Sequence, residues 1–424
     1  MRRSVGRSGI GGSSVAPPSK SSMQRAIACA SLARGESFLS NPSGSADCRA
    51  ALGVAHGLGA GFEWKRGGVS IQGARPGLGL ATAHRILSCG ESGLCMRMFS
   101  PIAALFPGET ILEAEGSLRR RPLASLEGAL EPLGASCRTA EGFAPLSVRG
   151  PLLGGAARVD GRESSQFVTG LLIALAAAPS DSRLEVEGMV SGGYLGLTID
   201  TMRAFGAQAR SPGGGIFEIA GGQAYSPARF AVEGDWSGAA FLLVAGAVAA
   251  AGDPLRVGGL GLGSSQPDRA ILDALRAAGA ALETGPDWVE VGRSRLEAFK
   301  FDATDCPDLF PPLVALASVC EGESLIGGAQ RLRHKESDRA AALAETIVRL
   351  GASVRVEGDL MRIEGRPRLK ACVIDSHGDH RIAMAAAVAA LLAEGEVVID
   401  GAECVAKSWP RFFEDLDALR RPPA

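Results

Sequence analysis

The chain has 424 residues, 46% apolar and 21% charged, which is enough for two or three domains with buried cores. A formal net charge of -2 excludes a global basic field that would recruit nucleic acid or an anionic membrane. Met1-Arg2-Arg3-Ser4 leads into no apolar stretch of secretory length, and the longest apolar run, 239–251, is too short to span a bilayer. The expectation is a soluble, cytoplasmic protein.

The first helix-like run, 23–32, opens behind Ser19-Lys20-Ser21. Ser21 is the expected N-cap, with Lys20 just outside the helix and Arg25 one turn in on the same face. A phosphate or carboxylate there meets free N–H groups, an ammonium and a guanidinium. The second run, 94–105, follows Ser92 and carries Arg97. In the loop beyond it, Arg119-Arg120-Arg121-Pro122 reads as holding a single anion-binding arginine. The third run, 167–177, follows Ser164-Ser165-Gln166, neutral donors and acceptors suited to a phosphate or sugar-like hydroxyls. The fourth, 239–250, follows Gly234-Asp235-Trp236-Ser237, which has no cation and reads as structural.

The fifth run, 309–319, follows Asp308 as its expected cap. The segment 331–339 then carries the densest charge, with Glu336 between Lys335 and Arg339. Two carboxylates in different settings, Asp308 and Glu336, can divide general acid and base roles. The sixth run, 382–392, follows Ser376-His377-Gly378-Asp379-His380-Arg381, with Asp379 as cap. Two close histidines without a third ligand do not make a metal site. Lys407 is the last cation, and three of the six lysines, Lys20, Lys335 and Lys407, fall within these clusters.

The six expected caps are separated by 71, 72, 71, 73 and 71 residues. Gly59, Gly134, Gly206, Gly279 and Gly351 run in step, each closing a helix-like stretch. A long fixed period signals one supersecondary unit copied along the chain. Three copies make a plausible domain, so two domains of three units are expected, with the crossover near 221–229. Alternating strands and helices argue for an α/β architecture with parallel pairing, and helices that are apolar all round should be buried. The odd number of cysteines, nine, without a CxxC pair, reads as reduced and mostly buried thiols.

So many cations, Lys20, Arg25, Arg97, Arg121, Lys335, Arg339, Arg381 and Lys407, suit two anionic substrates bound together. No Walker loop or dinucleotide fingerprint supports a nucleotide cofactor. In this setting the chain resembles the 5-enolpyruvylshikimate-3-phosphate synthase family. The matching residues are Ser-Lys-Ser…Arg at 19–25, Gly-x-Ser-Gly…Met-Arg at 90–97, Arg-Pro at 121–122, Ser-Ser-Gln-Phe at 164–167 and Ser191…Tyr194. They continue with Pro-Asp at 307–308, Lys-Glu-Ser-Asp-Arg at 335–339, Asp-His-Arg at 379–381 and Lys407.

The resemblance implies two similar inverted α/β barrel domains, each of three βαβαββ repeats. The expected lobes are 19–228, and 229–424 together with 1–18, with the active site in the cleft between them. It implies transfer of the enolpyruvyl group of phosphoenolpyruvate to shikimate 3-phosphate, by a monomer without metal or organic cofactor. By position, Ser21, Arg25, Ser164, Ser165, Gln166, Ser191, Tyr194, Asp308 and Lys335 would hold shikimate 3-phosphate, together with Lys20. Lys20, Gly93, Arg121, Gln166, Arg339, Arg381 and Lys407 would hold phosphoenolpyruvate. Asp308 would accept the proton of the 5-hydroxyl, and Glu336 with Lys20 would serve the enolpyruvyl methylene.

Five places depart from the family pattern. Glu91 and Leu94 stand where Asn and Thr are common, Pro18 replaces a Gly, Gly192-Gly193 replace Lys-Pro, and Arg331 replaces an Asn. Glyphosate is expected to compete with phosphoenolpyruvate, weakened by Glu91 and Leu94. The related UDP-N-acetylglucosamine enolpyruvyl transferases carry a Cys in the loop before their Arg-Pro, whereas none lies between Cys95 and Cys137. RNA 3′-terminal phosphate cyclase, of similar build, does not suit the balanced charge, and a non-catalytic binder would not need both carboxylates.

Overall fold

A computed structural model describes residues 1–74, 84–162 and 164–423. The chain divides into two compact units, one of Pro18–Val232 and one of Met1–Pro17 with Glu233–Ala424. Each has its own apolar core.

Three mixed sheets build the Pro18–Val232 unit, all on one plan. A strand, a crossover helix and a parallel strand are followed by a second helical segment and an antiparallel hairpin. In one sheet His84–Ser88 pairs in parallel with Glu109–Glu113, which pairs with Phe143–Arg149 and through it with Ser136–Ala140. In another, Gly155–Asp160 pairs with Ser182–Glu187, then Ile216–Ile219 and Arg210–Gly213. In the remaining sheet the parallel partner of Glu36–Ser40 is Arg229–Ala231, from the far end of the unit. That pairing holds 229–232, expected with the other lobe, in this unit. The chain leaves it at Val232, beyond the expected crossover at 221–229.

The other unit repeats the plan with borrowed strands. Gly9–Val15 supplies the parallel partner of Ala250–Gly258, and Arg2–Val5 pairs antiparallel with Val397–Asp400. Each sheet thus has one parallel pair and is otherwise antiparallel; the hairpin strands are so because a short turn joins them, while Arg2–Val5 and Arg420–Arg421 come from distant parts of the chain.

The crossover helices are Lys20–Leu32, Gly93–Ala103 and Gln166–Ala177 in the first unit, and Trp236–Ala249, Phe310–Ala317 and His380–Ala390 in the second. They are buried nearly all round, as their apolar composition requires. In each unit the three pack against one another. At Gly170 a β-carbon would lie 2.4 Å from the Met98 carbonyl oxygen, so only glycine permits that helix approach. The five step glycines all have positive φ, from 77° at Gly279 to 104° at Gly59, as helix-ending glycines should. All nine cysteines are free and seven are buried. Among the described residues no helix is long and apolar enough to cross a membrane.

Candidate active site

Helix capping in the Pro18–Val232 unit departs from the expected series. Ser19, not Ser21, caps Lys20–Leu32 by accepting from Ser22 N. Lys20 is therefore the first helical residue, and its Nζ lies 2.9 Å from Asp47 Oδ2 with both side chains largely buried. Asp47 sits in the first turn of Ala46–Gly57, capped by Ser45. Ser92 does cap Gly93–Ala103, and its Oγ donates to Gln24 Oε1 at 3.0 Å. In the third helix Ser165 is the boundary residue without a side-chain cap, while Ser164 Oγ accepts from Gln166 N.

These bonds bring the helix starts together. Arg97 donates to Gln166 Oε1 at 3.4 Å and to Pro122 O at 2.8 Å. Arg121 lies against Gly93, where an added β-carbon would sit 2.5 Å from its Nη1. Arg121 is buried, and its Nε has no acceptor among the described residues. Arg25 is fully buried and donates to Thr198 Oγ1, Thr169 Oγ1 and the carbonyls of Ser21 and Tyr194. Burial pushes its pKa down to about 10. Ser191, in the left-handed region, precedes the Gly192–Ala204 helix that carries Tyr194. Four cations (Lys20, Arg25, Arg97 and Arg121) thus gather beside three helix N-termini that also favour anions, and Asp47 pairs with one of them, Lys20.

In the second unit the cations are paired with carboxylates. Asp308 lies in a 3-10 turn, Pro307–Leu309, and caps nothing. Instead its Oδ1 accepts from Arg339 Nη1 at 3.2 Å and its Oδ2 from Arg381 Nη2 at 3.0 Å. Burial pushes its pKa up, but Arg381, Lys335 and Arg339 outweigh that and hold it well below the usual carboxylate range. Arg339 is fully buried and also binds Glu336 Oε2 at 2.5 Å and Asp379 Oδ2 at 2.9 Å. Burial lowers its pKa, but those carboxylates outweigh this and raise it. Lys407 Nζ is 3.8 Å from Glu336 Oε1. Asp379 caps His380–Ala390 as expected while ion-pairing with Arg339. Lys335 follows the Ala329–Leu332 turn and is half-buried.

Glu91 reaches the Gly116–Arg120 turn. Its Oε2 accepts from Ser117 N and Ser117 Oγ, at 3.0 and 2.9 Å. Sequence reasoning missed Asp47, Gln24, Thr169 and Thr198. Only Asp47, in a capped first turn, carried a local signal.

Both units pair helix N-termini with cations, the outfit of a transferase that handles anionic groups. Two solved structures share the fold: EPSP synthase from Acinetobacter baumannii (25% identity, TM-score 0.82, covering 100% of this chain and 99% of that one) and the enolpyruvyl transferase NikO from Streptomyces tendae (17% identity, TM-score 0.78, covering 99% and 98%). A family model for EPSP synthase (3-phosphoshikimate 1-carboxyvinyltransferase) matches residues 6–416. Relatives with that name include one from Halobacterium salinarum, 40% identical over 99% of both chains. Another, from Thermococcus kodakarensis, is 40% identical over 95% of this chain and 96% of its own. The chain belongs to the EPSP synthase family of enolpyruvyl transferases.

Proposed function

We propose that the cation sets of both units serve one reaction: transfer of the enolpyruvyl group of phosphoenolpyruvate to the 5-hydroxyl of shikimate 3-phosphate, with release of phosphate. The observation that carries this reading is Arg121, buried against the first residue of a helix with its Nε lacking an acceptor among the described residues. A buried guanidinium with an open Nε donor is suited to an anion from outside the chain. Arg121, Lys20, Gly93 and Gln166 bind phosphoenolpyruvate with Arg339, Arg381 and Lys407. The hydroxyls of Ser21, Ser164, Ser165, Ser191 and Tyr194 hold shikimate 3-phosphate, with Arg25, Gln166 and Lys335.

Asp308 takes the proton of the attacking hydroxyl, and Glu336 with Lys20 serves the proton at the methylene carbon. Protonation makes the enol carbon electrophilic, addition gives a tetrahedral intermediate, and cations stabilise the departing phosphate. Arg339 and Arg381 restrain the basicity of Asp308 by pairing with it. As those arginines turn to a substrate anion, the carboxylate regains proton affinity where it is needed. The protein acts as a cytoplasmic monomer, with no metal or organic cofactor in the mechanism.

The test is phosphate release from purified protein. Release is expected only when both substrates are present. Release from phosphoenolpyruvate alone, or none with both, refutes the reading.

A further inference from the structure

We propose that Glu91 is a positioning residue for Arg121, and that it sets the affinity for the smaller anionic substrate through Ser117; this rests on the function proposed above. Glu91 directly precedes Ser92 and Gly93, the cap and first residue of the Gly93–Ala103 helix. Its carboxylate holds both the N–H and the hydroxyl of Ser117. Ser117 belongs to the 3-10 turn Gly116–Arg120, which runs straight into Arg121. One side chain therefore ties the helix start to the segment that presents the guanidinium.

Gly116 is a second, independent sign of that tie. Its φ is +48°, and an added β-carbon would sit 2.4 Å from the Glu91 carboxyl carbon. Only glycine allows the carboxylate so close. On the far side of Arg121, Arg97 donates to Pro122 O at 2.8 Å. The backbone at Arg121 is thus fixed from before and after, while its buried Nε has no acceptor of its own. Placement of the guanidinium depends on packing and on this clamp. Below the clamp the strand ends stay joined by Cys89 N to Glu113 O at 2.9 Å and Glu115 N to Gly90 O at 2.7 Å. Loss of the exposed Glu91 side chain should therefore loosen Arg121 without unfolding the sheet.

The experiment is steady-state kinetics of Glu91→Ala, Glu91→Gln, Ser117→Ala and the Glu91→Ala/Ser117→Ala double variant. Losing a charge-assisted hydrogen-bond pair should raise KM for phosphoenolpyruvate about tenfold. The KM for shikimate 3-phosphate and kcat should each stay within about twofold, as expected for lost uniform binding. Glu91→Gln, which keeps an acceptor oxygen, should recover most of the affinity. The double variant should be no worse than Glu91→Ala, because Ser117→Ala removes only the hydroxyl part of a contact that Glu91→Ala removes whole. Calorimetric binding of phosphoenolpyruvate to the protein preloaded with shikimate 3-phosphate should show the same order. An unchanged KM in Glu91→Ala, equal changes in both KM values, or a double variant with additive losses overturns the proposal. A wild-type protein that does not turn over both substrates refutes the underlying function instead.

Discussion

Replacing Arg339 by Met removes the cation shared by three carboxylates. Arg339 is fully buried, and Asp379, 2.9 Å from its Nε, is equally inaccessible. Removing one partner of a buried ion pair typically costs about 3–5 kcal/mol, because the other charge is left uncompensated. Here the remaining contacts limit the loss. Asp379 keeps Arg381 N at 2.9 Å and Ser337 Oγ at 3.2 Å, and Asp308 keeps Arg381. A loss of about 3 kcal/mol follows, a large share of a typical stability of about 5–15 kcal/mol. Trp236, Trp288 and Trp409 report on the same unit, while Trp64 lies in the other. Urea unfolding followed by tryptophan fluorescence, with Trp64→Phe in all proteins, reads the relevant transition. Adding Asp379→Asn to Arg339→Met should restore part of the loss, since Asn still caps a helix and carries no charge. A loss below about 1 kcal/mol, or no recovery in the double variant, would refute this account of the ion cluster.

Three further outcomes follow from the same geometry. Asp308→Asn should lower kcat by about 10²–10⁴ while calorimetry shows retained affinity for shikimate 3-phosphate; unchanged turnover would remove Asp308 as the base. Gly93→Ala puts a methyl group 2.5 Å from Arg121 Nη1 and should raise KM for phosphoenolpyruvate, and the inhibition constant for glyphosate, more than the KM for shikimate 3-phosphate. Asp308 has a folded pKa below its unfolded value, so its stabilising contribution is complete above the unfolded pKa of about 3.9 and fades as pH falls toward the folded one. The stability gap between wild type and Asp308→Asn should therefore shrink from pH 5 to pH 2, and a gap that widens contradicts the assignment.

The period of the chain was legible because it rests on local chemistry. Caps such as Ser92, Asp235 and Asp379 and the glycines after helices act within a few residues of themselves. Local reading failed where a residue had a distant partner. Asp308 looks like a cap, but Pro307, Pro311 and Pro312 tighten the turn and its carboxylate goes to Arg339 and Arg381. Ser21 reads as a credible cap, but Ser19, two residues before it, holds that role. Lys20 and Asp47 are 27 residues apart, Glu91 and Ser117 are 26 apart, and no spacing rule joins them. Thr169 and Thr198, partners of Arg25, sit in helices where a threonine draws no notice. Arg229–Ala231 carries no mark that its partner strand begins at Glu36.

The borrowed strands have a consequence for biosynthesis. Gly9–Val15 leaves the ribosome before the Pro18–Val232 unit, yet its partners are Ala250–Gly258 and Arg420–Arg421. The Pro18–Val232 unit is contiguous and can close as soon as its last strand emerges. Residues 1–17 must wait, unpaired, through the synthesis of that whole unit. Glycines at 9, 11 and 12 and serines at 13 and 14 make the waiting segment a poor strand former on its own, with little to offer a wrong partner.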